Sequence, residues 1–100
     1  MLHTVNRSPS EVSVLDTCMR YLREGDALLL YEDAVYAALE AGEWAERLAG
    51  SMPQSRILVL QPDLEARGLL DRNLVRGVER VDYAGFVELV TQHEPVQCWR

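Results

Sequence analysis

The stretch 26–39, DALLLYEDAVYAAL, limits the fold more than any other, because its hydrophobic period changes across two acidic residues. Leu28, Leu29 and Leu30 read as a strand buried on both faces. Asp33 then reads as a helix cap, its carboxylate accepting the N–H of Val35 or Tyr36. Val35, Ala38 and Leu39 follow at i, i+3, i+4, a stripe facing back to the sheet. This is half of a βαβ unit. Sites in such sheets sit where strand ends meet helix starts, and Tyr31, Glu32, Asp33 and Tyr36 occupy that edge. A turn with two carboxylates and no glycine repels phosphate, which argues against a nucleotide.

The flanking sequence repeats the alternation. Leu2, His3, Thr4 and Val5 begin a strand, and Ser8, Pro9, Ser10 and Glu11 form a capping box with proline at the first helical position. The helix is expected to reach Glu24 and stop at Gly25, with Val12, Leu15, Met19 and Leu22 as its buried stripe and Cys18 half buried beside it. Gly42 interrupts the second helix, which resumes over 43–49 with Trp44 and Leu48 on one face. Residues 56–60 give a third strand, and Gln61, Pro62 and Asp63 start a short helix that Gly68 ends. Leu69, Leu70, Leu74 and Val75 lie among Asp71, Arg72 and Asn73, so 69–77 reads as surface loop available to a partner. Residues 78–81 give a fourth strand. Asp82 caps a helix in which Tyr83, Phe86, Val87 and Val90 recur at helical spacing until His93. Pro95 blocks its continuation, and 96–99 form a last strand with Val96 and Cys98 on one face. The expected fold is α/β: a small single domain over 1–100, its largely parallel sheet of about five strands carrying helices on both faces.

Composition narrows the function. One hundred residues, 48% of them hydrophobic, form a small core that oligomerisation would help. A net charge of −6 disfavours nucleic-acid backbones and anionic membranes. All ten basic residues are arginine, which excludes a Schiff-base or P-loop lysine and suits carboxylate pairing at protein interfaces. No segment has the roughly 20 apolar residues of a membrane span, and the opening MLHTVNRSP lacks the pattern of a signal peptide. A cytoplasmic protein is expected.

Two thiols, Cys18 and Cys98, are the candidates for carrying sulfur as a persulfide. Neither lies in a CxxC or near a histidine at ligand spacing, so no metal or cofactor is expected, and a reducing cytoplasm disfavours a disulfide. Reactive thiols need a helix N-terminus or a cation. Cys18 is mid-helix with only Arg20 and Arg7 near in sequence, and reads as a packing group. Cys98, beside Trp99 and Arg100, is the more accessible but still reads as a strand residue. His3 reads as a satisfied buried imidazole, and His93 as a helix C-terminus where positive charge is welcome. Glu32 and Asp33 are an acid–base pair or, more simply, caps, and Asp63 has the same reading.

Five strings occur in order: LHTVNRSP at 2–9, LLLYEDAVYAAL at 28–39, PDLEARG at 62–68, DYAGFVEL at 82–89 and VQCW at 96–99. Together they resemble the TusB/DsrH family of sulfur-relay proteins. The resemblance implies the DsrEFH-like fold and assembly with TusC and TusD, or DsrF and DsrE, in a dimer of heterotrimers. It implies that persulfide sulfur passes from a TusA-like carrier to a TusE-like one, and onward to the enzyme that makes 2-thiouridine at the tRNA wobble position. In the DsrH branch a similar complex serves sulfur oxidation. The main sulfur-bearing cysteine belongs to the TusD or DsrE subunit, so the implied role is a supporting one without a complete active site. Cys18 matches a position typical of DsrH, while Cys98 departs from the usual closing pattern. A non-catalytic interaction module and a small-molecule enzyme at the Tyr31–Tyr36 edge are the competing classes.

Overall fold

The computed structural model describes residues 1–10 and 14–100. Glu11 of the expected capping box and Val12 of the expected stripe lie outside them. The elements are β1 (Leu2–Val5), α1 (Val14–Tyr21), β2 (Ala27–Leu30), a 3-10 helix (Glu32–Ala38), α2 (Ala45–Ser51), β3 (Arg56–Leu60), α3 (Gln61–Ala66), β4 (Glu79–Val81), α4 (Tyr83–Gln92) and β5 (Val96–Trp99). Every strand pair is parallel, in the order β4-β3-β2-β1-β5. The expected α/β architecture is therefore present.

Alternation along the strands divides the core in two. Val5, Leu28, Leu30, Ile57 and Val59 point to one face and are sealed by α1, the 3-10 helix, α2 and α3. Leu2, Ala27, Leu29 and Leu58 point to the other, where Leu89 and Phe86 of α4 meet them. The radius of gyration is 12.1 Å. Among the described residues no helix is long and apolar enough to cross a membrane.

Several local expectations are corrected. Helix α1 ends at Tyr21, because the Asp26 carboxylate accepts the Arg23 N–H at 3.0 Å and pulls the chain into a turn. Gly25 follows at φ 88°, a conformation glycine adopts without penalty. Asp33 does not cap its helix, since no side-chain cap bond is made there; its carboxylate instead accepts both Arg67 Nε–H and Nη2–H, at 3.0 and 2.9 Å. The segment 69–77 is not free for a partner throughout: Leu69 and Val75 are buried, Leu74 packs against them, and Leu39 and Leu74 form an antiparallel bridge. Only Leu70 of its apolar residues is exposed. On α4, Asp82 caps as expected, accepting the Gly85 N–H at 2.8 Å. The stripe is misassigned, however. Tyr83, Val87 and Val90 face solvent, and Leu89 is the residue that enters the core.

Candidate functional site

The strand order sets the geometry. The chain steps from β1 through β2 and β3 to β4 in one direction, then returns to place β5 on the other side of β1. The sheet thus reverses between β1 and β5, the kind of switch point beside which α/β sites form, at the carboxyl ends of the strands. Val5, Leu30 and Trp99 lie in register there. Cys98 pairs in register with Thr4 on the α4 face, and it is exposed. Tyr31 stands at the end of β2, its N–H donating to Val5 O at 3.0 Å. Burial pushes the Tyr31 phenol up, and the charges of Glu32 and Cys98 add to this, while Arg100 and the Thr4 hydroxyl oppose it. Tyr31, Thr4, Cys98 and Arg100 are therefore electrostatic neighbours.

The adjoining turn is locked rather than open. Glu32 sits at φ 49°, a left-handed conformation costly for a side chain, and its N–H donates to Asp63 Oδ2 at 2.7 Å. Arg67 ties Asp33 to α3 and also donates to Asp63 O at 3.1 Å. Asp33 and Asp63 thus have structural partners. Asp63, expected as a cap of its own helix, serves the neighbouring one, a long-range role that local spacing does not reveal.

Cys18 is fully buried, deeper than the half-buried position expected, because Leu15 and Cys18 together form the centre of the α1 contact. Burial pushes its thiol up to about 12, and the charge of Asp26 adds to the shift. Both cysteines are free. Cys18 belongs to the sealed face and Cys98 to the other, so the sheet stands between them.

A second cluster occupies the sealed side near the β5 edge. Trp99 Nε1–H donates to His3 Nδ1 at 3.1 Å, and His3 Nε2 bonds Asp26 Oδ2 at 2.8 Å. An indole can only donate, so the His3 proton sits on Nε2 and points at the carboxylate. The Met1 amine donates to the other oxygen at 3.1 Å. Burial alone would raise the Asp26 carboxyl, but the bonds from His3, the Arg23 N–H and the Met1 amine outweigh it and hold the group below its ordinary range. His3 is thus the satisfied imidazole expected. Sequence reasoning missed Asp26 and Trp99 as its partners, although a lone acid immediately before an apolar strand was a usable signal. His93 runs against expectation: burial lowers its pKa, with the Met1 amine and Arg56 adding to the effect. A cleft of about 470 Å³ opens beside this cluster, lined by Tyr21, Arg23, Gln97 and Trp99 among others. Among the described residues no three His, Cys, Asp or Glu side chains gather as a metal site.

A five-stranded all-parallel sheet with helices on both faces and its switch point beside the first strand defines a small doubly wound α/β protein. The structure of ychN from Escherichia coli superposes with a TM-score of 0.85 at 19% identity, covering 98% of this chain and 97% of that one. A protein of unknown function from Methanobacterium thermoautotrophicum gives 0.72 at 19% identity, over 97% and 95%. The chain belongs to the DsrH-like family, whose profile, "DsrH like protein", matches residues 7–96. Protein TusB of Pectobacterium parmentieri is 41% identical across 99% of this chain and 100% of its own length. Protein TusB of Escherichia coli is 36% identical over the same shares.

Proposed function

We propose that the chain is the TusB-type subunit of a cytoplasmic sulfur-relay complex serving 2-thiolation of the tRNA wobble uridine. The observation that carries this reading is full-length similarity, at 36% and 41% identity, to proteins named TusB. Its partners are TusC-like and TusD-like chains in a dimer of heterotrimers, with TusA-like and TusE-like carriers meeting the complex rather than this subunit alone. The acidic net charge of −6 supports a protein that contacts proteins and leaves tRNA to others. The chain acts as a supporting subunit. Burial and the raised pKa of Cys18 favour a packing role, because the thiolate is the form that attacks a persulfide. Cys98 is the thiol in this chain with access to a donor.

The test is complementation. In a bacterium lacking its own TusB, this chain expressed with its two cognate partner subunits should restore 2-thiouridine in tRNA hydrolysates measured by mass spectrometry. Assembly without restored thiolation, together with restored sulfur oxidation in a host lacking DsrH, would move the chain to the other branch.

A further inference from the structure

Among the described residues, eight large apolar side chains are exposed, and they are not scattered. Met1 and Tyr21 border the cleft beside β5 on the sealed side, where the Tyr21 and Trp99 rings lie 5.6 Å apart. Val96 lies on β5 itself, on the α4 face. Tyr83, Val87 and Val90 belong to one flank of α4, whose direction two contacts determine. A Cβ on Gly85 would lie 3.2 Å from Val81 Cβ, so the Gly85 flank faces β4. Glu88 acts electrostatically on Arg56, which is bonded to Glu79 of β4, so it lies toward the same edge. At about 100° per residue, Tyr83, Val87 and Val90 stand roughly 140–200° around the helix from Gly85, toward β1 and β5.

Six of the eight exposed apolar side chains thus collect around one edge of the sheet. The opposite edge is treated differently. Arg56 and Glu79 form a two-bond ion pair across β3 and β4, and Arg80 donates to the carbonyls of Leu70 and Arg72. Charge on an edge strand discourages pairing with another chain, whereas a bare apolar edge invites it.

We infer that the β5 edge and its two apolar flanks are the surface on which a sister α/β subunit docks. This rests on the subunit reading above. Tyr21 and Tyr83 are each 60% exposed; with the four smaller side chains the patch offers roughly 600 Å², near the ~800 Å² per partner of a standard interface once a polar rim is added. The patch wraps a strand edge and continues on both faces. It therefore fits a folded subunit presenting a broad surface better than a single extended peptide, which would engage one groove. The cleft of about 470 Å³ between Tyr21, Gln97 and Trp99 receives an anchoring side chain from that subunit.

The test uses the three-chain complex made by co-expressing this protein with its two cognate partner subunits. Val87→Asp and Tyr21→Ala should each reduce the amount of this chain recovered on a tagged partner at least tenfold, while Leu70→Asp, an exposed apolar position outside the patch, leaves recovery unchanged. All three positions are exposed, so the variants alone should melt close to the wild-type temperature. Backbone amide exchange at residues 96–99 should slow on assembly. Unchanged recovery of both patch variants, or loss of recovery with Leu70→Asp alone, would overturn the surface assigned here and leave the subunit reading standing. A wild-type chain that recovers no partner, or that pairs through β5 only with itself, would sink both.

Discussion

The two faces of the sheet start from similar apolar strands and end differently. One is closed by three α-helices and a 3-10 helix, and its strand residues Val5, Leu28, Leu30, Ile57 and Val59 are wholly inaccessible. The other has, among the described residues, only α4, ten residues long, and leaves Val96, Cys98 and a flank of that helix in solvent. A parallel sheet is ordinarily covered on both faces. The α4 face therefore has more apolar surface left over, which runs round the β5 edge to the cleft beside Tyr21, while the interior of the sealed face is where the chain's own stability resides. The two thiols record the same division, one on each side.

The largest effect expected from that division is chemical. Iodoacetamide at mildly alkaline pH should modify Cys98 at least about a thousandfold faster than Cys18, since Cys18 is reached only when the domain opens, at a cost of several kcal/mol. Peptide mass mapping gives the ratio, and denaturant should abolish it. Equal native rates would break the comparison. The shifted thiol also has a linkage consequence. Its folded pKa, about 12, lies above the ordinary 9.0, so above pH 9 the unfolded state releases a proton that the folded state retains. Stability should fall as pH rises from about 9 toward 12, and Cys18→Ala should make that slope shallower, leaving the smaller part that the raised Tyr31 phenol supplies.

Next in size is the packing on the sealed face. Leu28 is fully buried at the centre of the sheet, and Leu28→Ala should lose about 2–5 kcal/mol in urea titrations through lost contacts and the cavity left behind. A loss below about 1 kcal/mol would mean that this face is looser than its burial indicates.

The Asp26 hub comes third, at the open margin of the sealed face. Its carboxyl is held below the ordinary range, so the stability it contributes is complete above the unfolded carboxylate pKa and is lost as pH falls through the lower folded value. Asp26→Asn should cost about 1–3 kcal/mol at neutral pH and flatten the acid limb of the stability profile. Trp99 emission should report the change, because its indole is bonded to His3 in the same chain of contacts. An acid limb as steep in the variant as in the wild type would assign that slope to other carboxylates.

Much of the fold was legible in the sequence. Short continuous apolar runs between helical stretches place all five strands, Asp82 caps its helix, and Pro62 and Gly68 bracket α3 as read. What was not legible depended on neighbours distant in the chain. Asp33 meets Arg67, and Asp63 caps a helix about thirty residues upstream; local spacing describes neither. Apolar periodicity also finds a stripe without saying what the stripe faces. Cys18 joins Leu15 at the centre of a contact that had been drawn along Leu15, Met19 and Leu22, the last two only partly buried. The carboxyl-edge cluster of Tyr31, Thr4 and Cys98 depends on β5 returning beside β1, which follows from topology and not from any motif.

The smallest effect is the most discriminating for α4, where one helix spans both conditions. Leu89 is 3% exposed and Val87, two positions earlier, is 59% exposed. Leu89→Ala should cost about 2–5 kcal/mol, as a buried leucine does, whereas Val87→Ala in the isolated chain should stay within about 0.5 kcal/mol of wild type. A valine read as core by spacing alone would cost considerably more, so a urea midpoint for Val87→Ala that falls as far as that of Leu89→Ala would restore the sequence reading of the helix. An unchanged midpoint means that the folded chain alone has no use for this apolar flank. Its contribution must then be sought in the assembled state, where the same substitution should weaken partner recovery less than Val87→Asp does, because alanine only removes contacts while aspartate also buries a charge.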